Sequence, residues 1–440
     1  AYDRTDDILA TAPPTATEPP KPVSPPPATP ERVLYLVSLF PCWSETFIVR
    51  EIERLVERGV DVRILSLKPP SETLVQKRAE ALLDRVIGPR TALREAPAVL
   101  VETLRNPFAV VAVAAHLIAN LWRQPAALGK SAIAIWRGLA ALPAIRRFDP
   151  QWFHAHWATY PSTVAWALSR ISGIPFSFTA HAHDIFVEDQ LLAPKIADAA
   201  LVATISRYNV RHLARWGAER AGDRMQVVHC GVDFAELAEN LDRRSEGHLV
   251  TVGRLDPIKG FDTLIPALGL LTRRGVGFRC TVIGEGPQRP QLEAQIRAEG
   301  LESRVSLVGA KPQETVRAAL DDATVFVMPS VTTPEGNQDG IPVALMEAMA
   351  TGAAVVSTRV SGIPELVHDG RNGLLVAPGD VDALADALER LLGDAALRRE
   401  LGRAARATVA AEFDARREAD QLLAHIAARC APVGEVAHAR

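Results

Sequence analysis

Short apolar runs of strand type recur along this chain in two successive series, most of them parted by helical patterns. Such an alternation builds parallel sheets flanked by helices. The first series opens with Val33-Leu34-Tyr35-Leu36-Val37, passes an amphipathic helical stretch at 45–58 closed by Gly59, and continues at 62–67, 152–156, 176–179, 201–205 and 225–228. After a polar stretch at 240–247, the second series runs through 249–252, 279–283, 305–308, 325–328, 353–356 and 374–376. The chain therefore reads as α/β, with two doubly wound, Rossmann-like domains at 31–240 and 241–414. A last helix at 415–430 is expected to pack back on the first domain. In open sheets of this kind ligands sit beyond the carboxyl ends of the strands, and almost every residue singled out below lies just after one.

At 440 residues, 48% hydrophobic and 23% charged, the chain has material for more than one core. A net charge of −3 argues against bulk nucleic-acid binding, since no basic excess is available to neutralise phosphates. Cys42, Cys230, Cys280 and Cys430 are widely scattered, without metal-finger or redox spacing, and read as reduced thiols of a cytoplasmic protein. Residues 1–30 hold nine of the 32 prolines and read as a disordered tail. That segment has no apolar h-region, so it is not read as a secretory signal.

The stretch 91–147 stands apart. Residues 107–121 are strongly apolar but fall short of the roughly 20 residues a bilayer span needs. Trp122, Arg123, Lys130, Trp136, Arg137, Arg146 and Arg147 lie nearby. One reading is a buried helical hairpin capping the first domain. The other is an interfacial surface with Trp and cationic side chains around an apolar face, giving peripheral contact with the inner face of the cell membrane.

The chemistry concentrates at Asp339-Gly340-Ile341-Pro342 and, eight residues after Asp339, at Glu347. Gly340 and Pro342 mark a loop turning into a helix. That helix is apolar all round and so should be buried, yet it carries Glu347, which then needs a hydrogen-bonded partner. A ligand diol is one such partner; a neighbouring loop is another. Asp339 can meet a second hydroxyl-rich group, and the helix N-terminus between them favours an anion. Hydroxyls at both ends with phosphates between describe a nucleotide sugar. After the first strand of the second series, Gly253 and Gly260 bracket Arg254 and Lys259. A planar fork and a point charge on a loop open to close backbone approach suit a diphosphate, though a turn with solvated cations has the same residues. Gly284-Glu285-Gly286-Pro287 is half of a dinucleotide fingerprint, with Arg289 where the third glycine would stand. It reads as a tight turn with backbone contact to a base, not as an NAD site.

Two His-x-His pairs occur, His154/His156 and His181/His183, the second followed by Asp184. Residues two apart on a strand face the same side, so each pair offers a metal grip and keeps a metal-dependent hydrolase open. Against a metal, the pairs are expected at different strand ends. His181 is otherwise a hydrogen-bond donor or proton-handling group facing the second domain. Ser44 reads as the N-cap of the first helix. Ser44, Glu45, His156 and Asp184 are the acceptor-side candidates.

These residues resemble the retaining glycosyltransferases of the GT-B fold, family 4, across most of 32–430. Asp339 and Glu347 stand in the two places of that family's Glu-x7-Glu signature, with Asp in the first. The run from Val252 to Gly260 is similar to its phosphate-binding strand and loop. Val282 to Pro287, Ser361 to Val367 and Asp369 to Val376 match further segments in order. Thr179-Ala180-His181-Ala182-His183-Asp184 resembles Thr-x-His-Gly-x-Asp, with Ala182 in the glycine's place, and Gly231-Val232-Asp233 resembles the domain-crossing turn. The start Phe40-Pro41-x-x-Ser44-Glu45-Thr46-Phe47 is similar to enzymes of exopolysaccharide and colanic-acid-type assembly; the family's Gly-rich N-terminal loop is absent. The resemblance implies that Glu347 holds ribose hydroxyls, Asp339 contacts the donor sugar, Arg254 and Lys259 neutralise the leaving diphosphate, and His181 contacts the reacting end. Gly253, Glu285, Gly286, Gly340, Ile341 and Pro342 would complete the donor site. It further implies transfer from a nucleotide sugar, UDP on family frequency, to a hydroxyl of a glycan or lipid-linked oligosaccharide, with retention and without metal or other cofactor. A non-catalytic scaffold that binds nucleotide sugar and a sugar-nucleotide epimerase remain alternatives.

Overall fold

A computed structural model describes residues 29–42, 45–70, 77–188, 190–234, 237, 240 and 244–430. Ser44, most of the expected tail and much of the linker near 240 lie outside them. The first series of strands forms a seven-stranded sheet ordered β3-β2-β1-β4-β5-β6-β7. Its members are β1 (Arg32–Leu39), β2 (Asp61–Lys68), β3 (Val86–Ile87), β4 (Trp152–His156), β5 (Phe176–Ala180), β6 (Leu201–Thr204) and β7 (Met225–Val227). The second series forms a six-stranded sheet ordered β10-β9-β8-β11-β12-β13. Here β8 is His248–Val252, β9 Arg279–Ile283, β10 Val305–Leu307, β11 Val325–Met328, β12 Ala354–Thr358 and β13 Leu374–Val376. All the pairings within these two sheets are parallel. Helices cover both faces, which is why the strands read as unbroken apolar runs instead of alternating ones. In each sheet the order reverses once, between β1 and β4 and between β8 and β11. The crevices at those two reversals are where this architecture binds ligands.

The chain crosses between domains twice, and the two crossings touch. Val232 N–H donates to Phe413 O and Ala415 N–H to Val232 O, both at 2.9 Å. A Cβ on Gly231 would lie 2.4 Å from the backbone N and Cα of Ala415, so this contact admits only glycine. The returning helix, Ala415–Ala427, packs on the first helix, Thr46–Glu57. Leu422 and Ile426 join Ile48, Ile52 and Leu55 in one core cluster. The Arg58 and Arg54 guanidiniums clamp Asp420 and hold its carboxyl down at about 2. The helix expected at 415–430 thus completes the first domain.

The insertion at 92–148 is part buried and part exposed. Its long helix, Pro125–Phe148, turns Leu139, Leu142 and Ile145 into the first domain's core. The two helices before it, Ala92–Arg105 and Pro107–Leu121, are bent by 104° at Asn106. Val99, Val113, Leu117 and Leu121 face inward, while Leu93, Leu104 and Phe108 are 86%, 70% and 90% exposed. Among the described residues no single helix is long and apolar enough to cross a membrane.

Glu418 on the return helix is buried beside the double crossing and accepts a hydrogen bond from the His229 amide at 2.6 Å. Burial outweighs that bond and pushes its carboxyl up to about 7 from the usual 4.5. The folded state then holds a proton that the unfolded state releases, so this group's contribution falls as pH rises from about 4.5 to 7. Buried neutral histidines such as His229 act in the opposite direction. The effect is therefore read as a difference: Glu418→Gln, which keeps an acceptor, should raise the melting temperature over wild type by a few degrees at pH 8. At pH 5 the two should converge, and an equal shift at both pH values would disprove the assignment.

Candidate active site

The second domain's side of the cleft is built on the ends of β8 and β11. After β8 the chain makes a tight turn ending at Gly260, whose φ is +65° and whose Cβ would sit 1.9 Å from Pro329 O, so the loop lies directly against the end of β11. This sets Lys259 Nζ 2.6 Å from Asp339 Oδ2, which also accepts from Ser330 Oγ at 3.3 Å. Among the described residues both of these bonds fall on Oδ2 and leave Oδ1 out of the pair. Arg254 stands outside this pair with its side chain 72% exposed, its Nε 3.9 Å from Asp256. Gly253 and Gly284 meet backbone to backbone, and Gly286 packs on Leu255, so the two glycine turns form one wall. Glu285 pairs with Arg289 at 2.9 Å, on the side chain that displaces the third glycine of a dinucleotide site.

Pro342 precedes the helix Val343–Ala350, which is buried and carries Glu347 as its one charge. The partner that Glu347 requires comes from the other domain. Arg50 Nη2, on the first helix, donates to Glu347 Oε1 at 2.9 Å, with both side chains 8% exposed. Gln313 Nε2 reaches the same oxygen at 3.2 Å. Arg50 Nη1 is buried with no hydrogen-bond partner among the described residues. Two more contacts close the cleft. Glu365 caps the helix Arg207–Leu213 from across the gap, accepting from the Arg207 and Tyr208 amides at 2.8 and 2.7 Å. Gln338 Nε2 donates to Tyr208 Oη at 3.2 Å. Gly340 meets Ile205 and Ala182, so the donor-side loop rests on the first domain's loop after β5.

On the first domain's side, β4 and β5 are neighbours in register, His156 opposite Thr179. The two His-x-His pairs lie at the ends of different strands, as expected, but those strands are neighbours. His154, His156 and His181 are gathered with Glu51 of the first helix, whereas His183 points out to solvent. His181 keeps neither ring nitrogen for the cleft: Nε2 faces His156 Nδ1 at 3.2 Å and Nδ1 faces Cys230 Sγ at 3.7 Å. Burial, with His156 and His154 alongside, holds its pKa well below 6.5. Asp184 is also turned inward, accepting from the His181 and Ala158 amides at 3.0 and 2.6 Å, so it brackets the loop and leaves no oxygen for an acceptor. Glu45 accepts from Trp157 Nε1 at 3.0 Å. Lys259, Asp339, Gly340, Ile341, Pro342 and Glu347 thus converge with Gly253 and Gly286, while His156, His181 and Asp184 form a second, inner set. Arg50, Glu51 and Glu365 escaped the sequence reading of the site. The demand of buried Tyr35 and His154 for polar partners was the available signal.

Residues 44–236 match the family model described as Glycosyltransferase Family 4, and residues 246–394 match the one described as Glycosyl transferases group 1. The chain is 33% identical over 374 residues to the colanic acid biosynthesis glycosyltransferase WcaL of Escherichia coli K12, covering 81% of this chain and 89% of that protein. It is 30% identical over 410 residues to the amylovoran biosynthesis glycosyltransferase AmsK of Erwinia amylovora, covering 87% and 96%. Among solved structures, the fold is similar to sucrose-phosphate synthase from Thermosynechococcus elongatus, with TM-score 0.67, 20% identity, and 89% and 97% coverage. It is also similar to Anabaena HepE in complex with UDP and glucose, with TM-score 0.63, 18% identity, and 90% and 100% coverage. Both sheets, the order of motifs and these relatives agree: the chain belongs to the family 4, group 1 glycosyltransferases and is a glycosyltransferase of GT-B fold.

Proposed function

We propose that the chain transfers a sugar from a UDP-sugar to a hydroxyl of a glycan or lipid-linked oligosaccharide in exopolysaccharide assembly, with retention at the anomeric carbon. The observation that carries this reading is the Lys259–Asp339 pair at the mouth of the β8/β11 crevice with Glu347 on the helix behind it. HepE, bound to UDP and glucose, and WcaL, named for colanic acid, support the donor and acceptor classes. In this reading Glu347 takes the ribose diol, Asp339 Oδ1 a sugar hydroxyl, and Lys259 and Arg254 the diphosphate. As the acceptor hydroxyl oxygen bonds to the anomeric carbon, the bond to the phosphate oxygen breaks and the hydroxyl proton passes to the leaving diphosphate. The negative charge gathering on the leaving diphosphate is met by two protein cations, an electrostatic term that calls for no metal or other cofactor. Arg254→Ala should lower kcat/KM about 10²-fold, ~3 kcal/mol of lost transition-state stabilisation; near-normal turnover would remove Arg254 from this role.

The donor must displace Arg50 from Glu347 and part the domains. Thermal shift against UDP, GDP, ADP, their common sugar conjugates and NAD tests the first half. A ligand at 100 times its Kd adds about 2.7 kcal/mol. The shift should come with uridine nucleotides and vanish in Glu347→Ala. Arg50→Ala removes the competitor, so UDP should bind about tenfold tighter by calorimetry, ~1.4 kcal/mol. Weaker or unchanged binding would show that Arg50 is no competitor.

We further propose that the bent helices at 92–121 seat the enzyme on the inner, cytoplasmic face of the cell membrane, near a lipid-linked acceptor. Support comes from exposed Leu93, Leu104, Phe108 and Trp122, flanked by exposed Arg94, Arg105 and Arg123. The protein should co-sediment with vesicles of phosphatidylcholine and phosphatidylglycerol, less at high salt, and Leu104→Glu/Phe108→Glu should release it. No sedimentation at low salt would count against the surface.

A further inference from the structure

The buried polar groups of the first domain that the transfer does not use meet at one point beneath the cleft. Tyr35 on β1, Glu51 on the first helix, His156 on β4, His181 after β5 and Cys230 at the crossing form one continuous chain. Tyr35 Oη lies 2.8 Å from Glu51 Oε1, and His156 Nε2 lies 2.9 Å from the same oxygen. His156 Nδ1 and His181 Nε2 are 3.2 Å apart, and His181 Nδ1 is 3.7 Å from Cys230 Sγ. A side branch adds His154, whose Nδ1 meets Ser177 Oγ at 2.7 Å and whose Nε2 meets Thr179 Oγ1 at 3.2 Å and Glu51 Oε1 at 3.7 Å. The small cavity beside the chain is bounded by Phe47, Val228 and Glu418.

The proton inventory of this chain closes in one direction. Glu51 is its only carboxylate, so Tyr35 O–H and His156 Nε2–H both donate to it. A neutral His156 then has a lone pair on Nδ1, which requires the proton of His181 on Nε2. His181 Nδ1 in turn accepts from the Cys230 thiol. Ser177 Oγ accepts from Trp152 Nε1–H at 2.7 Å, and its own proton has two acceptors in reach, His154 Nδ1 at 2.7 Å and Phe153 O at 3.5 Å. The shorter contact assigns it to His154, whose Nε2–H then faces Thr179 Oγ1 and, farther off, Glu51. Burial, against the pull of Glu51, drops His154 to about 3, and burial pushes the Cys230 thiol up. Burial would raise Glu51, but His156, His154 and Tyr35 outweigh it and hold it low. Glu51, His154 and His156 also converge as a metal triad would. However, two ligands of a tetrahedral ion lie roughly 3.3 Å apart. The 2.9 Å contact, the Tyr35 hydroxyl on the same oxygen and the bond from His156 to His181 are those of a hydrogen-bonded chain.

We propose that Glu51 and His156 are positioning residues for the transfer, anchoring a one-directional chain that locks His181 as its Nε2–H tautomer and fixes the turn behind it. That turn is one of the parts of the first domain that touch the donor side. Asn209 Nδ2 donates to the His181 carbonyl, Asp184 brackets its amide, and Ala182 packs against Gly340 beside Asp339. His181 therefore acts through its place and not as a proton carrier. This role rests on the transferase reading; the tautomer does not.

The test uses the full chain labelled with 15N-histidine, with His156→Ala and His181→Ala giving the assignments. Two-bond 1H–15N correlations at pH 7 should report neutral Nε2–H rings for both residues. Glu51→Gln, which keeps the acceptor, should preserve them, and Glu51→Ala should not. An Nδ1–H ring at His181, an imidazolium at His156, or stoichiometric zinc in protein made without a histidine tag overturns the chain. For turnover of the sugar nucleotide that wild type consumes, Glu51→Ala should lose about tenfold or more in kcat with KM changed less than about twofold, and Glu51→Gln should stay near wild type. Equal losses in both variants, or full kcat in Glu51→Ala, overturn the positioning role. If wild type consumes no sugar nucleotide, the transferase reading falls and the positioning role with it, while the tautomer result stands.

Discussion

A carboxylate on an apolar, buried helix has to be matched by a cation or by a ligand, and Glu347 is matched by a cation from the opposite domain. Removing one partner of such a buried pair typically costs ~3–5 kcal/mol. The cleft closes around this pair, and the other contacts across it follow its geometry: Glu365 on the Arg207 helix, Gln338 on Tyr208 and Gly340 on Ala182. In the proposed function, the carboxylate assigned to a ribose diol is also one of the groups that join the domains. Under that proposal binding and opening are linked, because a donor taking Glu347 competes with one of the contacts between the domains.

The two inner surfaces of the cleft differ in kind. On the second domain the residues are loop groups at strand ends, with Arg254 exposed and Asp339 offering an oxygen, so they are built to meet something that arrives. On the first domain His154, His156, His181 and Asp184 have their polar atoms turned towards one another, so they hold a shape. This division explains why Asp184 and His181, both at the end of β5, act through backbone position.

The alternation of strands and helices, both sheets and the donor-side turns were legible in the sequence because each is local: an apolar run, a glycine turn, a helix start. The pairings across the cleft were not, because no local pattern ties Arg50 to a residue 297 positions away. The gathering of His154, His156 and His181 was not legible for a related reason. Their spacing within each strand is local, but the adjacency of β4 and β5 is set by the sheet order. Ser44, the one acceptor-side candidate outside the described residues, keeps only its sequence reading.

The return helix has a consequence for how the molecule is made. The cluster of Val33, Tyr35, Ile48 and Ile52, formed by the first residues of the fold, also contains Ala419, Leu422, Leu423 and Ile426. The second domain, contiguous from β8 to the Phe413 crossing, can reach its native packing during synthesis. The first domain, though made earlier, cannot complete this cluster until residues 415–427 have left the ribosome. In this architecture the usual order, in which the N-terminal unit folds first, is inverted by a single C-terminal helix.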